Sequence, residues 1–215
     1  MLGRKSQGAV GARPVPLLLA LAMAALGEVG AQPVAAQAPR IRPRDIFFAD
    51  PALPARQKDL LARYAEQIAG WAASDVLIGA AQIQSGRPTT MERILDIDRR
   101  WQRGEDPDGL ATELAGNDCA QALLSAIASH PGYAEAFVTD SRGALVCMTR
   151  RTSDYWQGDE EKWTRAWAAG KGAVFVSAVE HDESAGADLL HISVPLRVGE
   201  RVVGVLTAGR LRGTG

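Results

Sequence analysis

From position 56 onward, apolar residues return at helical intervals. Leu60, Leu61, Tyr64, Ile68, Trp71, Ala72, Val76, Gly79 and Ile83 fall on one stripe, which predicts one long helix over 56–85 that ends at Ser85-Gly86. A second helix is expected from Thr89, where Thr89 and Glu92 have capping-box spacing and Met91, Ile94, Leu95 and Trp101 form the face to be buried. Asp98 shares that face, and pairing with Arg99 or Arg100 is the simplest account of it. After a Pro/Gly/Asp turn over 105–109, a third helix over 117–129 would bury Cys119, Ala120, Leu123, Leu124 and Ile127, and His130-Pro131-Gly132 would stop it.

Beyond Gly132 the period changes from near 3.6 to 2. Two strands, 133–140 and 144–149, are joined by Asp140-Ser141-Arg142-Gly143, a tight turn ending in Gly, and so form a hairpin. A polar loop leads to a short helix over 159–169, and three further strands follow at 173–179, 189–196 and 201–211. The expected fold class is α+β: a long N-terminal helix packed on a five-stranded, mostly antiparallel sheet, with a helix inserted after the second strand.

The N-terminus follows a different pattern. Arg4, Lys5 and Arg13 precede an apolar run from Val15 to Leu26, and small residues continue to Ala38, the three-part form of a secretory signal peptide over 1–38. The run is shorter than the roughly 20 residues needed to span a bilayer. Cleaved export to the periplasm is therefore expected, with an uncleaved membrane anchor as the alternative. The proline-rich stretch 39–55 reads as an extended arm.

Composition adds two points. The whole chain balances 24 basic against 25 acidic residues, and removal of 1–38 leaves 21 against 24, mildly acidic, which argues against a nucleic-acid partner. Export would also permit a disulfide between Cys119 and Cys147, although their spacing and flanks read more simply as two small core hydrophobes.

Several segments, in this order, resemble the extracytoplasmic Cache (PDC) sensor domains. They are Phe137-Val138-Thr139-Asp140-Ser141-Arg142-Gly143, Thr152-Ser153-Asp154-Tyr155-Trp156-Gln157-Gly158-Asp159-Glu160, Asp182-Glu183-Ser184, Ser193-Val194-Pro195 and Val203-Gly204-Val205. The resemblance spans 56–211 and implies a PAS-like core that binds a small ligand. It is to single-module exported forms, with no room left for an output domain. Amino-acid-binding members carry an Arg in the loop-helix and an Asp late in the final strand. Here Glu160 takes the first position and Thr207-Ala208-Gly209 the second, so the resemblance implies a ligand other than a free α-amino acid.

The chemistry of the implied pocket centres on Thr149, Arg151, Tyr155, Trp156, Asp159, Glu160, Trp163, Phe175 and Asp182. Aromatic residues among polar ones suit a small-molecule site, yet Trp163 and Trp167, four apart on one helix face, would also seal that helix onto the sheet. Asp159 suits the helix N-cap, and Asp159 or Glu160 beside aromatic rings suits a donor-bearing or cationic ligand, whereas Arg150 and Arg151 suit a carboxylate. The ligand's charge stays open. His181 and His191 stand near Asp182 without a recognised ligand spacing, so no metal is expected and Asp182 reads as a hydrogen-bond anchor at the pocket mouth. No nucleophile elbow, P-loop or dinucleotide fingerprint is present, so neither catalysis nor a cofactor is expected. The expected function is a periplasmic sensor module that binds a small polar metabolite and relays occupancy to a separate transmembrane signalling partner, alone or paired with another copy as a homodimer. The alternative is an envelope interaction module without a ligand.

Overall fold

The computed structural model describes residues 41–182 and 186–213. The signal peptide read over 1–38 lies outside them, as do Glu183 and Ser184. Among the described residues no helix is long and apolar enough to cross a membrane.

Among the described residues the fold is α+β, with six α-helices against a six-stranded mixed sheet. The long helix expected over 56–85 is two: α1 (Ala55–Ala72) and α2 (Asp75–Gly86). The break falls at Ala73 and Ser74, where Ser74 turns to extended backbone, and it resets the rotation of the second segment. Leu77 and Ala81 are therefore buried, whereas Val76 and Ile83, assigned to the buried stripe, are exposed. Helix α3 (Met91–Gln102) is capped by Thr90, one residue later than expected, with its hydroxyl accepting from Arg93 N. A short α4 (Leu110–Gly116), not anticipated, leads to α5 (Asp118–Ala128), whose start is fixed by Asn117 Oδ1 accepting from Ala120 N.

The strands are β1 (Ile46–Phe48), β2 (Tyr133–Asp140), β3 (Leu145–Met148), β4 (Val174–Asp182), β5 (Ala187–Val198) and β6 (Arg201–Leu211), in sheet order β1-β4-β5-β6-β2-β3. Only β1 runs parallel to its neighbour. Five strands were expected; β1 arises from the stretch read as an arm, where Phe47 stacks on Phe175 across the β1–β4 ladder. Helix α6 (Glu161–Trp167) is shorter than expected, and Glu160 rather than Asp159 occupies its N-cap, without a side-chain capping bond.

Period-2 alternation divides the sheet. Ala136, Val138, Val176, Ile192, Val194, Leu206 and Ala208 point to α1, α2 and α5 and form the main core. Against that core, Cys119 on α5 and Cys147 on β3 form a disulfide with a Cα separation of 5.8 Å, so they are not the free core thiols the sequence favoured. The opposite face carries Glu135, Phe137, Phe175, His191, Ser193, Val205, Thr207 and Gly209, and α6 packs over it through Ala166, Trp163 and Trp167.

Candidate functional site

The face beneath α6 is unusual in its chemistry, because it buries polar side chains. Glu135, Gln157, Ser193 and Thr207 are each at most 3% exposed, and His191 is 7% exposed. Buried polar groups persist where partners satisfy them. Ser193 and Thr207 do so mutually, with hydroxyl oxygens 2.9 Å apart.

Glu135 and His191 meet across an intervening strand. Both pair with Gly209 of β6, one from each side. A Cβ at Gly209 would lie 2.8 Å from Glu135 Cγ, so the missing side chain opens the path between them. His191 Nε2 thereby reaches 3.0 Å from Glu135 Oε1, and Asp182 Oδ2 lies 3.9 Å from the same nitrogen. The final strand carries no acid of its own; its neighbour β2 supplies one opposite the glycine.

Glu135, Phe137, Thr152, Ser153, Gln157, Lys162 and Asp182 line a small cavity here, whose interior admits a group about the size of one water molecule. Two of its acceptors are unanswered: Glu135 Oε2 and Gln157 Oε1 are buried without a hydrogen-bond partner among the described residues. Gln157 is held in that orientation because its Nε2 donates to Asp154 O at 2.9 Å. Lys162 Nζ sits 3.7 Å from Glu160 Oε2. A larger cleft, lined by Ala69, Ala72, Ile78, Val174 and Val194 among others, offers mainly aliphatic surface and none of these orphaned acceptors.

The roof over the cavity is the loop 149–160, and Asp98 pins it. Its Oδ1 accepts from both Tyr155 N and Trp156 N at 2.9 Å, and its Oδ2 accepts from Gln102 Nε2 at the same distance. Burial raises the Asp98 pKa above the ordinary carboxylate value, against the opposing pull of those backbone donors. The expected pairing with Arg99 or Arg100 is not made, since those arginines bond Asp96 and Glu105. Trp101 Nε1 donates to Thr152 O, and Gln157 N donates to Gly143 O. Gly143 has φ +83°, and a Cβ there would come within 2.6 Å of the Gly158 backbone, so loop and hairpin touch main chain to main chain.

Of the nine residues singled out in the sequence, only Asp182 lines this cavity. Thr149 Oγ1 accepts from Ala136 N and closes the β2–β3 ladder. Arg151 lies 4.0 Å over the Trp101 ring and donates to Trp101 O and Glu105 O, so its guanidinium locks the loop to α3. Tyr155 is buried on the far side of the loop, its hydroxyl pushed up to about 12 by desolvation and, next, by the Asp140 carboxylate. Trp156 Nε1 donates to Arg142 O. Asp159 is exposed, Glu160 faces Lys162, and Phe175 is 1% exposed in the core under α6. Trp163 stacks on Trp167 at 5.5 Å, and its buried Nε1 lacks a partner among the described residues. Glu135 and His191 were not among those nine; the one available signal was Glu135 itself, an acid between two alanines in β2.

The element order and the covered polar face together describe an α+β fold with helices on both faces of a six-stranded mixed sheet. No protein-family model matches the chain, and no curated protein matches it. Among solved structures it is similar to the ligand-binding domain of the Pseudomonas aeruginosa amino-acid chemoreceptor PctC in complex with GABA (22% identity, TM-score 0.36, 56% of this chain and 57% of that one). It is also similar to the ligand-binding domain of the Campylobacter jejuni chemoreceptor Tlp3 in complex with L-valine (12% identity, TM-score 0.38, 74% and 64%). A third similarity is to the sensor domain of the V. cholerae histidine kinase DctB (10% identity, TM-score 0.29, 74% and 58%). The chain spans less than two thirds of each of these solved chains.

Proposed function

We infer that the protein is an exported sensor module. A small cationic or donor-bearing ligand group is taken up at the Glu135–Asp182 cavity beneath the 149–160 loop, and occupancy is passed to a separate membrane protein. The observation that carries this reading is the pair of buried, unanswered acceptors, Glu135 Oε2 and Gln157 Oε1, on residues that line one small cavity. An apolar filling would serve stability better, because a buried acceptor left unpaired costs about 1–3 kcal/mol. The Cys119–Cys147 disulfide supports an oxidising compartment, in keeping with the leader-like N-terminus.

Signalling needs two states with different ligand affinity. The loop is suited to that, because it is tied to α3 through Asp98 and to the hairpin through Gly143, so a ligand that draws on Gln157 pulls on both anchors. The test is a thermal-shift screen of the purified protein against amines, organic acids, amino acids and inorganic cations. A true ligand at 100 times its dissociation constant stabilises by about 2.7 kcal/mol. The expected result is a melting temperature raised by one cationic or donor-bearing class, with the rise abolished in Glu135→Gln. If no class raises it, the sensor reading fails and an envelope interaction role takes its place.

A further inference from the structure

The geometry points to a divalent transition-metal site formed by Glu135, Asp182 and His191, beside the cavity that Glu135 and Asp182 line. This deepens the sensor reading by naming its ligand.

Three donors of suitable type converge: Asp182 and His191 from the adjacent strands β4 and β5, and Glu135 from β2, which is distant in sequence. One ligand atom from each of Glu135, Asp182 and His191 lies within 4.8 Å of the others, with His191 Nε2 3.0 Å from Glu135 Oε1 and 3.9 Å from Asp182 Oδ2. Donors that share one zinc ion at about 2.0–2.2 Å stand roughly 3.3 Å apart in a tetrahedron, so the set lies close to coordinating distances. One imidazole with two carboxylates favours zinc, nickel, iron or copper over magnesium or calcium, which prefer all-oxygen sets.

The independent observation is the orphaned oxygen. Glu135 is 3% exposed, it lines the cavity, and its Oε2 has no partner among the described residues although Oε1 faces His191. A carboxylate so placed calls for a cation. Lys162, the cation on the cavity wall, has its ammonium 3.7 Å from Glu160 instead. Gln157 Oε1, orphaned at the same cavity, offers a further oxygen. The cavity's small interior suits an ion better than a metabolite. Gly209 completes the design, because any side chain there would separate Glu135 from His191.

The test uses the full chain, expressed for export without a histidine tag and stripped with a chelator. It is titrated calorimetrically with Zn²⁺, Ni²⁺ and Mg²⁺ as the chloride salts, and bound metal is counted by elemental analysis. The expected result is one equivalent of Zn²⁺ or Ni²⁺ per chain, little Mg²⁺, and affinity reduced by about tenfold or more in Glu135→Gln, His191→Gln and Asp182→Asn. His181→Gln is the control, since His181 is exposed beside Asp188, and it should bind as the parent does. Asp182 is less buried than the other two, so its variant keeps the test valid if a core variant fails to fold. Absence of binding, or binding unchanged in these three variants, overturns the metal site. If an amine or another organic ligand instead raises the melting temperature and needs Glu135, the metal inference falls and the sensor reading stands; if neither metal nor organic ligand acts, both fall.

Discussion

Reducing the Cys119–Cys147 disulfide should destabilise the protein by an amount set chiefly by the loop it closes. The cysteines are 28 residues apart. Opening a loop of that length returns about 12 cal/mol/K of chain entropy to the unfolded state, which is about 3.6 kcal/mol at 25 °C. In a domain of this size each kcal/mol moves the melting temperature by about 2–4 °C, so reduction should lower it by roughly 7–14 °C. The bridge also pins β3, a four-residue edge strand with β2 as its ladder partner, to α5. Loss of the bridge should therefore raise hydrogen exchange first in the β3 amides, next to the carbonyl of Val146 that accepts from Asn117 Nδ2. The assay is differential scanning calorimetry with and without reductant, thiol release being confirmed by mass after alkylation, alongside a Cys119→Ala/Cys147→Ala variant. A fully reduced protein that melts within about 2 °C of the oxidised one would refute the loop-closure reasoning.

Other outcomes follow from single side chains. The Tyr155 hydroxyl is pushed up to about 12 in the folded state, so its contribution is fully present below the unfolded value of 10.0 and is lost as pH rises through 12. Such a difference corresponds to about 3 kcal/mol, and Tyr155→Phe should flatten the fall of unfolding free energy measured by denaturant titration across that alkaline range. Asp98→Ala strands the Tyr155 and Trp156 amides and should cost about 2–4 kcal/mol, with faster proteolysis in the 149–160 loop as its local signature; cleavage at the parent rate would contradict the pinning role. Gly209→Ala forces Glu135 and His191 apart, and a destabilisation below about 1 kcal/mol would show that their contact across β6 matters little.

The sheet was legible because its strands obey a period of 2 and its turns carry Asp and Gly where the backbone reverses. What escaped depended on contacts between distant segments. No local pattern marks Ile46–Phe48 as a strand; it becomes one by lying along β4. The break at Ser74 was hidden because apolar residues continue at helical spacing through it, although the faces they occupy no longer align. At the site, the aromatic and charged residues of the loop drew notice, yet most of them fasten the loop to α3 and the hairpin. Glu135 was concealed by a register shift after Tyr133 that reverses which residues of β2 face the main core. His191 met its partner only because a glycine stands between them, and a missing side chain leaves no signal of its own.

The order of strands bears on how the protein could be made. Strand β6 comes last among the elements, yet it lies inside the sheet, zipped to β5 on one side and β2 on the other. Until it arrives, the β2–β3 hairpin and the β1-β4-β5 group have no ladder between them. A chain emerging from its N-terminus thus cannot complete its sheet early. Closure is deferred to the moment when the final strand has emerged.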